Sequence, residues 1–325
     1  MAVLVTGASG FLGGRLTQIL AERGEEVILL ARPTSDLRHL VHTSTRTILG
    51  DLSDRPALIE AVKDVTHIFH CAACSTDWAS SQTYIAANIT GTQNLLEAAL
   101  KAPRLQRFLH VSTTDIYGYP QIPCTEDHPF VDAGLPYNIT KGAAEESVWH
   151  AFHQYGLPIS IVRPATIYGP RGKDFTLEVA TMLRQRMMLT IDHGSAPGGF
   201  TFVDNVVEAM LSAASSDRSL GQAYNISDGT NATWLQYLTL FAERLRVPKP
   251  WLNLSYAAAM NLARTLELPH RLLKLGGRPL LTCHAVRLLG ISQEFPIEKA
   301  QRDLDFCPAV SLEEGIERSV SWLKG

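Results

Sequence analysis

The feature that most constrains the fold is a glycine-rich turn near the start of the chain. Residues 3–5 form a short β-branched run, glycines follow at Gly7, Gly10 and Gly13, and a helix-patterned segment then extends to about residue 23. Glycines between a strand and a helix let the backbone turn tightly, approach a pyrophosphate and face it with the helix N-terminus. A glycine triplet can also form an ordinary tight turn, but the strand–turn–helix context favours dinucleotide binding.

Apolar runs alternate with helix-length segments along the first half of the chain. After the first strand we predict strands at residues 26–31, 46–49, 65–70, 107–111 and 159–162. This alternation predicts an α/β fold with a doubly wound parallel (Rossmann) sheet, whose ligands lie beyond the carboxyl ends of the strands. We expect a dinucleotide-binding domain over residues 1–165, to which residues of about 200–225 return. A smaller, mostly helical substrate-binding cap domain is expected over residues 166–325.

Side chains at the strand ends suggest how a dinucleotide is held. The third strand closes with Asp51, whose carboxylate can meet an adenine amino group, and the fourth is followed by the small residues Ala72 and Ala73. An acidic residue after the second strand would hold the ribose 2′-OH of NAD, whereas an arginine suits a 2′-phosphate. Because Arg32 occupies this place, with Arg38 close behind, we predict a preference for NADP(H). NAD(H) stays possible, since Arg32 can also be a solvated arginine.

Tyr137 and Lys141 are the candidate catalytic pair. Positions i and i+4 share one face of a helix, and we expect the lysine cation to lower the pKa of the phenol. Such a spacing is common, and a buried ring beside a solvated charge is the usual alternative. Thr113 follows the strand at residues 107–111, where this architecture places substrate donors, although hydroxyls there are often turn-formers. Asn88 lies within a helix predicted over about residues 80–100, where a surface or helix-bonding role is more common.

Composition narrows the partners to small molecules. A formal net charge of −3, from 29 basic and 32 acidic residues, gives no reason to expect nucleic acid or an anionic membrane surface. No uncharged apolar run is long enough to span a bilayer, and the β-pattern begins at once, so we expect a cytoplasmic protein. Cys71 and Cys74 form a CxxC without a second cysteine or histidine pair at zinc-finger spacing, so we predict structural cysteines and no metal.

The segment over residues 252–289 leaves two interpretations open. It is rich in Leu and Ala, which fits either core helices of the cap domain or an apolar lid or membrane-surface patch. Charged residues interrupt its apolar face and favour core helices; these are Arg264, Glu267, Arg271, Lys274 and Arg278. Before this segment, residues 200–202 predict a short strand that leads into a helix capped by Asp204.

Taken in order, these motifs resemble the extended short-chain dehydrogenase/reductase family from end to end. The matching segments are TGASGFLG, GDLSD, HCAA, NITGTQNLLEA, VSTTDIYG, YNITK and RPATIYGP. The resemblance implies that Tyr137 is the acid/base, Lys141 lowers its pKa and holds the nicotinamide ribose, and Thr113 orients the substrate oxygen. It further implies that Asn88 supports the helix of the site or a proton relay, and that the chain forms a homodimer through the helices of Asn88 and Tyr137. The predicted cofactor-binding residues are Gly7, Ser9, Gly10, Phe11, Leu12, Gly13, Arg32, Asp51, Leu52, Ala72, Ala73, Tyr137, Lys141, Pro164 and Thr166.

Within that family the pattern is most similar to the 3β-hydroxysteroid dehydrogenase and dihydroflavonol reductase branch. Nucleotide-sugar enzymes usually carry an arginine–aspartate pair before the strand at residues 200–202, where this chain has Pro-Gly-Gly, and the Asp-Glu pair of dehydratases is also missing after Thr113. We therefore predict an oxidoreductase that interconverts a secondary alcohol and a ketone on an apolar, cyclic substrate such as a sterol, flavonoid or polyketide. The alternatives are a nucleotide-sugar epimerase or dehydratase with tightly bound NAD, and a cofactor-binding regulator that has lost catalysis.

Overall fold

Parallel strands form the centre of the molecule, as the alternation predicts. A computed structural model describes residues 2–273 and 277–325 of the chain. The first six strands begin and end within two residues of the predicted ones, whereas β7, β8 and β11 were not predicted. The bounds of the strands are β1 (Ala2–Thr6), β2 (Glu26–Ala31), β3 (Thr45–Leu49), β4 (His67–His70), β5 (Arg107–Val111), β6 (Ile159–Pro164), β7 (Thr166–Tyr168), β8 (Leu189–Ile191), β9 (Phe200–Phe202), β10 (Gln222–Ile226) and β11 (Leu252–Leu254).

The main sheet has seven strands in the order β3-β2-β1-β4-β5-β6-β10, all parallel. The order of the chain reverses between β1 and β4, and open α/β sheets bind their ligands at such a switch point. β10 joins the sheet beside β6, so a late segment of the chain returns to the first half. The predicted doubly wound sheet is confirmed. Two small parallel pairs, β7 with β9 and β8 with β11, lie apart from it.

Helices cover both faces of the sheet. Their bounds are α1 (Phe11–Glu22), α2 (Arg55–Val62), α3 (Ser81–Tyr84), α4 (Gly91–Ala99), α5 (Pro136–Tyr155), α6 (Val179–Arg184), α7 (Val203–Ser215), α8 (Trp234–Leu245), α9 (Tyr256–Leu272), α10 (Cys283–Gly290), α11 (Glu298–Leu304) and α12 (Leu312–Trp322). One apolar core joins the sheet to α1, α7 and α11, and a second joins it to α2, α4 and α5. Because β1 and β2 are buried on both faces, they are almost continuously apolar, whereas the edge strand β3 is partly exposed and carries polar residues.

Two local predictions are wrong in detail. The helix expected over residues 80–100 is interrupted by a π-helical turn, Ile85–Thr90, which periodicity in the sequence cannot reveal. Asp204 does not cap α7: the N-cap residue is Phe202, whose N–H donates to the carboxylate of Asp228. The Asp204 carboxylate instead pairs with Arg15 on α1, at 2.7 Å.

The cap segment over residues 252–289 combines buried core with cavity wall. Ala259 and Ala263 on α9 are fully buried, whereas Leu268 on the same helix is 54% exposed. Leu262 and Leu266 on this helix line the cavity. The core interpretation therefore holds for a part of the segment, and the lid or membrane-surface interpretation stays a prediction. Lys274, one of the charges that favoured a core role, lies outside the described residues. In the part of the chain that the structure describes, no helix has the length and apolar character needed to cross a bilayer.

Candidate active site

A large cavity opens at the switch point of the sheet, beyond the carboxyl ends of β1 and β4. Its volume is about 1140 Å³. Every residue predicted to bind the cofactor lines it, and so does Thr113, whereas Asn88 does not. The catalytic and cofactor roles of these residues stay predictions, but the structure brings them to one place.

Two glycines shape the turn at one end of the cavity. Gly7 has φ +77°, and a Cβ atom there would come within 2.7 Å of the Ala72 backbone nitrogen. A Cβ atom at Gly13 would come within 2.5 Å of the Gly7 carbonyl oxygen. The turn therefore packs the start of α1 closely against β1 and β4, with the N-terminus of α1 at the cavity. This close approach fits the pyrophosphate of a dinucleotide, which helix N-termini attract.

Polar groups border the same end of the cavity. Arg32 and Asp51 both line it, and the Asp51 carboxylate accepts hydrogen bonds from the Ser53 hydroxyl (2.6 Å) and amide (2.7 Å). These bonds lower the pKa of Asp51 and keep it ionised. Arg38, which the sequence placed beside Arg32, does not line the cavity and pairs with the exposed Asp36 at 2.6 Å.

A second arginine, Arg171, was not identified from the sequence. It lines the cavity, and its Nη1 atom lies close enough to the start of α1 that a Cβ atom at Gly14 would come within 2.8 Å of it. Burial lowers its pKa, although the guanidinium stays charged at neutral pH. Arg171 lies between β7 and α6, far along the chain from the glycine turn, so only the folded structure brings it to this end of the cavity.

Tyr137 and Thr113 lie at the middle of the cavity. Tyr137 is near the start of α5, one residue after Pro136 at its first position, and Thr113 caps a short 3₁₀ turn after β5. Burial and the nearby Asp115 carboxylate raise the pKa of Tyr137, whereas Thr113 acts in the opposite direction. The expected lowering of this pKa by Lys141 is thus not found. The cost of burying a phenolate beside a carboxylate outweighs the attraction of the cation.

Lys141 is buried one helical turn after Tyr137. Its side chain is 3% exposed, and Nζ donates a hydrogen bond of 2.7 Å to the Val111 carbonyl oxygen. Burial lowers its pKa to about 8, against the opposing influence of Glu145 and Cys71. Lys141 therefore remains largely protonated at neutral pH, at the end of β5 and within the cavity wall.

Asn88 has the contacts of a positioning residue. It is 1% exposed, its amide oxygen accepts from Cys74 N at 2.7 Å, and its Nδ2 donates to Cys74 O and to Thr140 Oγ1. The side chain thus ties the loop after β4 to α5, three residues beyond Tyr137. A direct role for Asn88 in the reaction stays a prediction.

Two polar residues near Tyr137 escaped the sequence analysis as functional groups. His284 on α10 lines the cavity, and its Nε2 lies 3.4 Å from Asp115 Oδ2. Asn138 holds the backbone around Asp115, because its Nδ2 donates to the Asp115 and Val131 carbonyl oxygens. Asp115 belongs to the motif around Thr113 that the sequence analysis identified. Nothing in the sequence pattern connects Asp115 with His284.

The other end of the cavity is largely apolar. The wall there comes from the cap helices and the segments around α6, and consists of Phe175, Met182, Met188, Trp234, Leu262, Leu266, Leu280, Leu281, Leu288 and Leu289. Arg278 is a cation at this end, but its guanidinium contacts the carboxylates of Asp77 (2.8 Å) and Glu178 (2.7 Å). Its charge is therefore already balanced by the protein.

Cys71 and Cys74 both line the cavity and carry free thiols. Burial raises the pKa of each thiol, which disfavours the thiolate that metal binding requires. Within the described ranges, no group of three or more His, Cys, Asp or Glu side chains is arranged to hold a metal ion.

Comparisons with known proteins agree with this geometry. The profile of the NAD dependent epimerase/dehydratase family matches residues 3–227. The 2-alkyl-3-oxoalkanoate reductase of Stenotrophomonas maltophilia is 31% identical over 332 residues, which cover 98% of each chain. The 4-hydroxy-2-methyl-3-oxo-4-farnesyl-3,4-dihydroquinoline-1-oxide ketoreductase of Stigmatella aurantiaca is 31% identical over 98% of this chain and 95% of its own. Among solved structures, MoeE5 in complex with UDP-glucose and NAD superposes with a TM-score of 0.78 at 25% identity, covering 100% of this chain and 99% of that one.

Proposed function

Because this chain belongs to the NAD-dependent epimerase/dehydratase family, within the extended short-chain dehydrogenases/reductases, we propose that it reduces a ketone on an apolar substrate to a secondary alcohol. The observation that supports this most is the division of the cavity. Its glycine turn and cations fit a dinucleotide, its far wall is apolar, and Tyr137 lies between the two ends. A substrate with an apolar body would place its carbonyl group beside Tyr137.

The residues at the middle of the cavity supply the proton. A bound nicotinamide dinucleotide supplies hydride to the carbonyl carbon. Thr113 and Tyr137 place two hydroxyl groups where the carbonyl oxygen gains negative charge, and Tyr137 gives its proton to that oxygen. The ammonium of Lys141 on the same helix face offsets the negative charge left on the phenolate. Since the pKa of Tyr137 lies above its ordinary value, the phenol is protonated at neutral pH and has a proton to give to the carbonyl oxygen.

NADP(H) is the proposed cofactor, with NAD(H) as the alternative. Arg32 borders the cavity where a 2′-phosphate on the adenosine ribose would lie, and its immediate neighbours in the wall include Ser35 and Asp51. A carboxylate that would hold a 2′-hydroxyl is missing at position 32, at the end of β2. Against this, the family profile is that of an NAD-dependent family, and MoeE5 contains NAD.

The names of the two relatives bear on the class of ketone. One describes an acyclic oxo compound that carries an alkyl group, and the other a quinoline ring that carries an oxo and a farnesyl group. The apolar wall of this chain suits such groups. We therefore extend the substrate class from the cyclic ketones expected from the sequence to open-chain ketones with a long apolar substituent.

The likeness to MoeE5 favours a second candidate, a nucleotide-sugar epimerase. Such a substrate brings a diphosphate, which needs unpaired cations at the substrate end of the cavity. Here Arg278 is bound to two carboxylates, and the backbone of Gly199, at φ +58°, stands just before β9 in place of an arginine–aspartate pair. These features favour the ketone reductase.

Purified protein can separate the two candidates. A panel of apolar ketones, cyclic and open-chain, is incubated with NADPH or NADH, and loss of reduced cofactor is followed by absorbance. The reductase is expected to consume one equivalent of reduced cofactor for each alcohol formed. Cofactor that stays bound through gel filtration, together with turnover of UDP-sugars without net oxidation of cofactor, would establish the epimerase instead.

Homodimer formation and the domain division at about residue 165 remain proposals. Ile85 and Ile139 are 46% and 37% exposed on the helical layer that carries Asn88 and Tyr137, and a dimer through these helices would cover them. Light scattering of the wild type and of a doubly charged variant, Ile85→Glu with Ile139→Glu, should show a dimer and a monomer respectively.

A cytoplasmic location also remains a prediction.

A further inference from the structure

The cap contributes a titratable side chain to the centre of the site. The ring of His284 stacks on that of Tyr137, with centroids 6.2 Å apart and an angle of 24° between the planes. Its Nε2 atom lies 3.4 Å from Asp115 Oδ2, and the two side chains are only 12% and 11% exposed. All three residues line the cavity. A histidine from the cap thus covers the proton donor that α5 supplies.

Several contacts fix the position of the helix that carries His284. Thr282, the N-cap residue of α10, donates from Oγ1 to Asp77 Oδ2 at 2.7 Å, in the loop after β4. Arg278 pairs with the same carboxylate at 2.8 Å. At the other end of α10, Arg287 donates to the Ala133 carbonyl oxygen. Because α10 is anchored at both ends to the segments that surround Tyr137, the approach of His284 is a built feature of the fold.

The charges around His284 favour its protonated form. Burial alone would lower its pKa, but the hydrogen bond with Asp115 and the charges of Asp115 and Asp77 outweigh burial and the repulsion of Arg278, so its pKa lies above the ordinary value. The phenols of Tyr137 and Tyr119 also lie beside His284, the ring of Tyr119 edge-on at 6.0 Å. The imidazolium and the Asp115 carboxylate therefore form a pair of opposite charge beside Tyr137.

We propose that His284 is a positioning residue for Tyr137, which acts through its pairing with Asp115 and makes the active site complete only when the cap helix is in place. The inference rests on the proposed function. Stacking restricts the ring of Tyr137 and shields one of its faces from water. The imidazolium offsets the negative charge of Asp115 beside the phenol, so the phenolate that forms when Tyr137 gives its proton to the ketone is less disfavoured. Tyr137 remains the residue that transfers the proton.

The sign of the pH dependence follows from the charge pair. The charge pair with Asp115 exists while His284 is protonated, and it is lost as the pH rises through the raised pKa of the histidine. Ketone reduction should therefore decline on the alkaline side. Lys141, with a pKa of about 8, can produce a decline in the same direction, so the His284 contribution must be isolated by substitution.

The test combines ring titration and kinetics in the full-length chain. The pH titration of the histidine rings is followed by NMR without cofactor. The spectrum of His284→Gln identifies the His284 resonance, and the titration midpoint of that resonance is then compared between the wild type and Asp115→Asn. We expect a midpoint above the ordinary value of about 6.5 that falls in Asp115→Asn. Kinetics with NADPH and a ketone should show kcat/KM lower by about 100-fold in His284→Leu, since displaced catalytic groups cost rates of that order. His284→Gln can still hydrogen-bond to Asp115 and should therefore recover part of this loss in kcat/KM. Its pH profile should lack the alkaline decline that the histidine causes.

Controls separate this role from a general loss of structure. His270→Gln changes a cap histidine outside the cavity wall and should match the wild type, and NADPH affinity, from fluorescence titration, should be equal in all variants. Normal reduction with unchanged pH profiles in both His284 variants, or a His284 midpoint that ignores Asp115→Asn, would overturn the role of His284 alone. If the wild type reduces no ketone with NADPH or NADH, the proposed function is overturned and the role of His284 falls with it. This holds even if the ring titration confirms the charge pair.

Discussion

Substitution at the glycine turn should separate cofactor binding from stability. A Cβ atom at Gly13 would lie 2.5 Å from the Gly7 carbonyl oxygen and 2.8 Å from its carbonyl carbon, both backbone atoms. Real Cβ contacts are essentially never shorter than 3.0 Å. The start of α1 and the turn must therefore move apart by about half an ångström to relieve the contact of 2.5 Å. Overpacking of this kind costs about 1–3 kcal/mol. Gly13→Ala should therefore lower the melting temperature.

Gly10→Ala provides the contrast. Its Cβ atom would lie 3.1 Å from the Gly7 carbonyl oxygen, and the backbone of Gly10 has φ −80°, which alanine adopts without strain. This contact is tight, but a shift of a few tenths of an ångström relieves it, so the melting temperature should change much less than in Gly13→Ala. The added methyl group would nevertheless stand at the N-terminus of α1, where the pyrophosphate is expected to lie close to the backbone.

The assay is a titration with NADPH, followed by fluorescence, beside thermal unfolding followed by circular dichroism. We expect each alanine variant to bind NADPH about 10- to 100-fold more weakly, which corresponds to about 1.4–2.8 kcal/mol. Only Gly13→Ala should also be less stable. Glu22→Ala, at the exposed end of the same helix, is the control and should match the wild type. Wild-type NADPH affinity in Gly13→Ala would refute the assignment of this turn to the cofactor.

Three further predictions concern the cofactor, the substrate and the fold. Arg32→Asp should shift the ratio of kcat/KM values from NADPH toward NADH, while the control Arg38→Asp, outside the cavity, should leave it unaltered; equal selectivity in both variants would exclude Arg32 as the reader of a 2′-phosphate. Leu266→Ala in the apolar wall should change the ranking of ketone substrates at constant NADPH affinity, and an unchanged ranking would argue against the cap as substrate wall. In Arg163→Met the buried Glu145 carboxylate loses the guanidinium that lies 2.5 Å from it, so chemical denaturation should show a free energy of unfolding lower by about 3–5 kcal/mol. A decrease below about 1 kcal/mol would contradict this.

Local pattern was sufficient for the main sheet and for the cofactor end of the cavity. The glycine spacing, the apolar strands and the pairing of Tyr137 with Lys141 each depend on residues close in sequence, and strand alternation then fixes how they meet. The direction of the pKa shift at Tyr137 was not predictable in this way. It depends on burial and on Asp115, and burial is a property of the whole fold.

Contacts between distant segments were the part that the sequence could not supply. Arg171 reaches the glycine turn from the segment after β7, and His284 reaches Tyr137 from the cap. A single arginine or histidine in a loop or amphipathic helix has no spacing that distinguishes it from a surface residue. The π-helical turn at Ile85–Thr90 was also missed, because a single wider turn within a helix leaves no mark in the periodicity of the sequence.

The most direct test of the central claim is the yield of alcohol per NADPH consumed, in the wild type and in Tyr137→Phe. The account predicts one alcohol for each NADPH in the wild type. It also predicts a fall in kcat of about 100- to 10,000-fold in Tyr137→Phe, the usual contribution of a positioned general acid, with NADPH affinity retained. Undiminished turnover in Tyr137→Phe, or product formed without net oxidation of NADPH, would contradict the assignment of Tyr137 as proton donor in a ketone reduction.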